Sequence, residues 1–286
     1  MSATSTQHIT PALRDWIIEQ ARAGHRPEAL LESMKSSGWK EEVALDVLES
    51  VLSSLLKEHA QSPSLPPPNV VPEPALAASP VALWAHDREV QVVMAMRDPR
   101  VVVFSNLLSD EECDEIVELA RVRLARSHTV DTATGDSEIN EARTSDGMFF
   151  NRGEHAVVAR FEARLAALVN WPLENGEGLQ ILHYRPGAEY KPHYDYFDPA
   201  QPGTPTILKR GGQRVATIVT YLNTPLRGGG TTFPDVGLEV APLKGHAVFF
   251  SYDRPHPVTR SLHGGAPVLE GEKWVATKWL RVGRFD

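Results

Sequence analysis

The chain has 286 residues, 42% hydrophobic and 23% charged, a balance that fits a soluble protein with one domain of about 200 residues beside something smaller. Its net charge of -8 argues against docking on the phosphate backbone of nucleic acid, and no run of about 18 apolar residues is present to cross a bilayer. The single cysteine, Cys113, excludes an internal disulfide and a cysteine-rich zinc site, so any metal must rest on His, Asp or Glu. The polar stretch Met1 to Thr10 lacks the basic-then-apolar order of a secretion signal, and the expected compartment is the cytoplasm.

Residues 1–60 are expected to form a small all-α unit. Thr10 and Pro11 make a cap and first-turn pair, Leu13, Trp16, Ile17 and Ala21 repeat at helical spacing, and Gly24 ends the helix. A second helix spans Pro27 to Met34, and a third runs from Trp39 or Lys40 to about Lys57 through Val43, Ala44, Val47, Leu48, Val51 and Leu55. Three short helices with a Gly-Trp entry to the last resemble a ubiquitin-associated bundle, although an unrelated helical hairpin or a dimerisation segment fits the same pattern. Binding of a protein partner is the expected role of this unit. Residues 61–80, with Pro66, Pro67 and Pro68 in a row, read as a semi-extended spacer.

The larger domain is expected over 81–286. Val101 to Phe104 reads as a strand, and Ser109 with Glu112 makes a capping box before a helix through Cys113, Ile116, Val117, Ala120 and Leu124. A polar stretch, His128 to Ala142, leads to Arg143, and an amphipathic helix follows from about His155 to Val169. Beyond Pro172 the apolar period becomes two. Strands are expected at Leu179 to Arg185, Tyr190 to Tyr196, Arg214 to Leu222, Thr231 to Phe233, Leu238 to Ala241, His246 to Tyr252, Pro257 to Ser261 and Trp274 to Arg281, separated by Pro and Gly turns. A run of strands with no intervening helix implies a mainly β domain, an antiparallel sandwich or jelly roll with supporting helices packed outside.

Alternation along a strand places His193 and Asp195 on one face and turns Tyr194 away. Alone this signal is weak, because 11 histidines make a His-x-Asp triplet expected by chance about half the time. With a second imidazole the set would bind iron(II) and leave roughly three of about six positions open. His246, His256 and His263 all stand close enough in sequence to supply it. In the last strand Lys273, Val275, Thr277 and Trp279 share a face while Lys278 points the other way, and His183 alternates away from Tyr184.

Over about residues 98–282 the chain resembles the iron(II)- and 2-oxoglutarate-dependent dioxygenases of the prolyl 4-hydroxylase type. The matching residues are Tyr184-Arg185-Pro186-Gly187, Tyr190, His193-Tyr194-Asp195, Thr217, Tyr221-Leu222-Asn223, Gly228 to Pro234, Lys244-Gly245, Ser261-Leu262-His263, Pro267-Val268 and Gly271 to Trp274. The resemblance implies a double-stranded β-helix with His193, Asp195 and His263 as Fe2+ ligands. It implies Lys273 as partner of the distal carboxylate of 2-oxoglutarate, with Tyr184, Thr217 and Trp279 lining that pocket and Arg143 near the substrate channel. It further implies O2 as co-substrate, L-ascorbate as a possible accessory, and 4-hydroxylation of proline in a peptide or protein with release of succinate and CO2. Hydroxylation of another side chain or a small molecule, and a metal-dependent binding protein without activity, are the alternatives. Ala266 departs from the family, where many relatives carry cysteine, but removes no ligand. The single cysteine separates the chain from the secreted, disulfide-bonded collagen hydroxylases.

Overall fold

Strand-forming runs with period-two alternation dominate the chain beyond Leu179, and the computed structural model sets them in antiparallel sheets. The structure describes residues 10–22, 27–61, 65–126, 129–130, 137–138 and 144–286. Two compact units divide the chain, Met1–Leu65 and Pro66–Asp286.

The first unit holds α1 (Pro11–Arg22), α2 (Pro27–Ser36) and α3 (Glu41–Gln61), the last running beyond the end near Lys57 expected from the apolar spacing. The Thr10 hydroxyl caps α1 by accepting from the Leu13 N–H at 3.2 Å. Ile17, Leu30, Met34, Ala44, Val47, Leu48 and Val51 form a core of its own.

Residues 66–80, assigned to the spacer on composition, belong instead to the larger unit. The Asn69 N–H donates to the Asp253 carbonyl at 2.6 Å, the Glu73 N–H to Val169 at 3.0 Å, and Leu76 packs on the core. A proline-rich backbone has few donors and reads as extended chain whether it is free or laid along a surface.

In chain order the larger unit then forms β1 (Ala82–Ala85), β2 (Arg88–Met96), β3 (Arg100–Ser105), α4 (Asp110–Arg121), β4 (Ala125–Arg126), β5 (Thr129–Val130), β6 (Ser137–Glu138), β7 (Asp146–Phe150) and α5 (Ala156–Leu168). There follow β8 (Leu179–Tyr184), β9 (Tyr190–His193), a short α6 (Thr204–Ile207), β10 (Arg214–Tyr221), β11 (Arg227–Gly228), β12 (Thr231–Phe233) and β13 (Leu238–Val240). The chain closes with β14 (Ala247–Ser251), β15 (His263–Gly265), β16 (Val268–Glu270) and β17 (Lys273–Arg281). At α4 the expected capping box is complete: the Ser109 hydroxyl accepts from the Glu112 N–H at 3.2 Å, and the Glu112 carboxylate accepts from the Ser109 N–H at 3.0 Å.

Two expectations are corrected. Pro257 to Ser261 is not a strand but a 3-10 turn over Pro257–Thr259, because His256 Nδ1 accepts from the Val258 N–H at 3.0 Å and proline has no donor for a ladder. A helix does interrupt the strands, since α6 lies between β9 and β10.

The larger sheet runs β1-β2-β3-β14-β10-β17-β8-β7-β4 and the smaller one β13-β12-β15-β9. β17, near the middle, is buried along its whole length because both faces are covered. Trp274, Ala276 and Leu280 share a core with Phe161 and Leu165 of α5, whereas Val275 joins Tyr184, Tyr221, Phe233 and Phe250 between the sheets. Each fully buried large side chain contributes about 1.5–3 kcal/mol, so this second cluster fixes how the sheets meet. The result is a double-stranded β-helix, or jelly roll, with helices outside the larger sheet. Among the described residues no helix is long and apolar enough to cross a membrane.

Candidate metal and co-substrate site

His193 ends β9 and stands directly opposite His263 in β15. Antiparallel partners project to the same face, so the two rings meet with centroids 4.4 Å apart. Gly264, next to His263, permits the close approach of β15 to β9: a Cβ there would lie 2.9 Å from the Tyr190 carbonyl.

Asp195 lies beyond the end of β9, not inside the strand expected over Tyr190 to Tyr196. The chain leaves the sheet there because the Gln213 side chain takes both the Phe197 N–H, at 2.8 Å, and the Phe197 carbonyl, at 2.7 Å. Even so, Asp195 Oδ1 lies 3.5 Å from His193 Nε2 and Oδ2 lies 3.4 Å from His263 Nε2. One ligand atom from each of the three residues falls within 4.8 Å of the others.

The protonation pattern fits a cation. His193 Nδ1 is 2.9 Å from the Lys191 carbonyl and His263 Nδ1 is 3.0 Å from the Ser261 carbonyl. A carbonyl only accepts, so each Nδ1 carries a proton and each ring turns its Nε2 toward Asp195. Burial, and then the neighbouring His263, push His193 toward its neutral form against the pull of Asp195. Burial drives the Asp195 carboxyl upward, yet the charges and hydrogen bonds of His263 and His193 hold it well below the usual carboxylate range. Two Nε2 atoms and one carboxylate therefore face a common point, and two imidazoles with one carboxylate suit iron(II).

Lys273 opens β17 opposite Tyr184 and is 3% exposed. Its Nζ lies 5.2 Å from the Tyr184 ring centre and 5.8 Å from that of Tyr221, and among the described residues no carboxylate pairs with it. Burial pushes the ammonium down to about 8, with Glu239 opposing. Asn223 holds the backbone on both sides of it: its Oδ1 accepts from the Trp274 N–H at 2.7 Å and its Nδ2 donates to the Glu272 carbonyl at 2.8 Å.

One cavity is lined by His193, Asp195, His263, Lys273, Tyr184, Thr217 and Trp279 together. The Thr217 hydroxyl does more than line it, lying 2.7 Å from Asp195 Oδ2 and 2.9 Å from the Tyr252 hydroxyl. Trp279 sits beneath the Arg214 guanidinium at 3.9 Å, with its indole N–H buried and unpartnered. A buried cation without a counter-ion, next to a metal-ready triad, is a place for a carboxylate.

The remaining candidates fall elsewhere. Arg143 lies outside the described residues. His246 Nδ1 faces the Lys244 carbonyl, His256 caps the 3-10 turn, and His183 stacks on Trp274 at 4.3 Å while bonding Glu272 at 2.7 Å. Lys278 leaves the cavity face and pairs with Glu162 of α5. Tyr252 and Asn223 were assigned no role from the sequence. Asn223 stood inside a matching motif, and Tyr252 shares the parity of Phe250, which was the available signal.

Residues 179–281 match the family model described as the 2OG-Fe(II) oxygenase superfamily. The chain is 42% identical over 209 residues to "Probable prolyl 4-hydroxylase 7" of Arabidopsis thaliana, covering 66% of this chain and 64% of that protein. It is 42% identical over 208 residues to "Probable prolyl 4-hydroxylase 6" of the same plant, covering 65% and 70%. A solved structure of the viral collagen prolyl hydroxylase of Paramecium Bursaria Chlorella virus-1, in complex with 2-oxoglutarate, is 30% identical, covers 63% of this chain and 94% of that one, and superposes with a TM-score of 0.49.

Proposed function

Because this chain belongs to the 2OG-Fe(II) oxygenase superfamily and uses Fe2+, 2-oxoglutarate and O2, we propose that it hydroxylates prolyl residues at the 4-position in a peptide or protein. The observation that carries the reading is Lys273, a buried ammonium with which no carboxylate pairs among the described residues, in the cavity lined also by His193, Asp195 and His263. The names of the Arabidopsis relatives support proline as the target.

Bound iron supplies the oxygen chemistry, in which 2-oxoglutarate, O2 and a substrate C–H become succinate, CO2 and a C–OH. The chain's own residues prepare for it. His193 and His263 present Nε2 lone pairs, and Asp195 supplies the negative charge that offsets part of the metal's. Lys273 takes the distal carboxylate through a charge-assisted contact, flanked by the Tyr184 and Tyr221 rings, whose centres lie 5.2 and 5.8 Å from its Nζ. The Lys191 and Ser261 carbonyls each hold an Nδ1–H, which orients the rings and leaves Nε2 as the atom for the metal.

The test is incubation of the protein with Fe2+, 2-oxoglutarate and proline-bearing peptides, with and without ascorbate, followed by mass spectrometry. A gain of one oxygen on proline, matched by succinate, is expected. Oxygen on another side chain or on a small molecule would replace proline as the target, and no 2-oxoglutarate consumption with any substrate would remove the enzymatic reading.

The helical unit has its own core and contains no group of potential metal ligands among its described residues, which supports a recruiting role toward a protein partner. Deleting residues 1–65 should leave turnover of short peptides intact and lower it on an intact protein substrate.

A further inference from the structure

We propose that Tyr252 is a positioning residue for Asp195, acting through Thr217; this rests on the reading of Asp195 as a metal ligand. Asp195 needs such a tether because it lies past the end of β9, where no ladder pairing sets its place. Its side chain is instead held from the larger sheet. Thr217, 0% exposed in β10, reaches Oδ2 at 2.7 Å, and Tyr252, 2% exposed just beyond β14, reaches Thr217 at 2.9 Å.

The direction of these two hydrogen bonds follows from proton counting. An ionised carboxylate only accepts, and a hydroxyl has one proton. Thr217 therefore spends its proton on Asp195, and Tyr252 must donate to Thr217 Oγ1. Among the described residues the Tyr252 hydroxyl has no other side-chain hydrogen bond. Its ring is held against Phe250 and Tyr196, with centroid distances of 6.2 and 6.1 Å, so the donor cannot swing away.

Without that donor the Thr217 hydroxyl can turn, and the Asp195 carboxylate loses the contact that fixes its plane relative to the two imidazoles. Outer contacts of this kind typically change metal affinity by about 10–100-fold. Removing a donor one step behind the ligand should fall at the low end.

Co2+, which does not turn over, serves as the probe in calorimetric titrations of the full chain. Tyr252→Phe, which keeps the ring, should bind Co2+ about tenfold more weakly. Thr217→Val should bind it at least as weakly, and adding Tyr252→Phe to Thr217→Val should change nothing further. Thr217→Ser keeps the hydroxyl and should restore sensitivity to Tyr252→Phe. Equal losses in both backgrounds would mean that Tyr252 acts by packing alone and would overturn the proposal. So would unchanged affinity in Tyr252→Phe while Asp195→Ala loses the ion. Unchanged Co2+ affinity in Asp195→Ala would instead bring down the metal-ligand reading, and the proposal with it.

Discussion

Replacing Lys273 by methionine removes the charge while keeping most of the volume, and the structure sets opposite signs for its effects on stability and on binding. Burial depresses the ammonium from 10.5 to about 8, which corresponds to a cost of about 3 kcal/mol for holding the charge in the free protein. The folded value lies below the unfolded one, so this cost is fully present below about pH 8 and vanishes as pH rises toward 10.5. Lys273→Met should therefore be no less stable than the parent at pH 7 in urea unfolding, and the gap should close in alkali. Binding runs the other way. Truncating one partner of a buried charge pair costs about 2–5 kcal/mol, so the Kd for 2-oxoglutarate should rise by about 30-fold or more. Co2+ affinity should stay the same. In the parent, 2-oxoglutarate affinity should fall as pH rises through about 8, where the free ammonium loses its proton, and Lys273→Met should lack that dependence. Calorimetry with the Co2+-loaded protein measures both. A Kd within threefold of the parent, or a flat pH profile in the parent, would refute the assignment of the carboxylate to Lys273.

Asn223→Ala should raise the KM for 2-oxoglutarate severalfold with little change in kcat, because it frees the backbone on both sides of Lys273 without touching the metal ligands; equal losses in kcat and kcat/KM would point to a different role. Glu162→Ala should destabilise the fold by about 3–5 kcal/mol in urea unfolding, since it strands Lys278, only 3% exposed, opposite a partner that is 1% exposed. Replacing both residues by leucine and methionine should recover most of that loss, and failure to do so would show that the cost lies in packing.

Much of the candidate site is legible in the amino-acid sequence. The period-two runs located most of the long strands, and parity separated Lys273, in the cavity, from Lys278, which pairs with α5. The strands β1, β2, β4, β5, β6, β7, β11, β15 and β16 were not expected, most of them because two to five residues carry little alternation, β2 in spite of its nine. Residues 66–80 misled for a related reason, as proline content reports an extended backbone and says nothing of what lies beside it.

What the amino-acid order determined by itself was local: which face each side chain takes, where helices are capped, and that His193, Asp195 and a later histidine are chemically suited to one ion. Spacing left the choice among His246, His256 and His263 open, and the resemblance to a family pointed to His263. The physical meeting of these groups depends on the register of β9 against β15, which pairs position 193 with 263 across a long stretch of chain. The support of Asp195 by Thr217 and Tyr252, and of Lys273 by Asn223, likewise joins residues from different elements. Such contacts arise only when sheets close on each other, because hydrogen bonds between distant segments leave no periodic trace in either one.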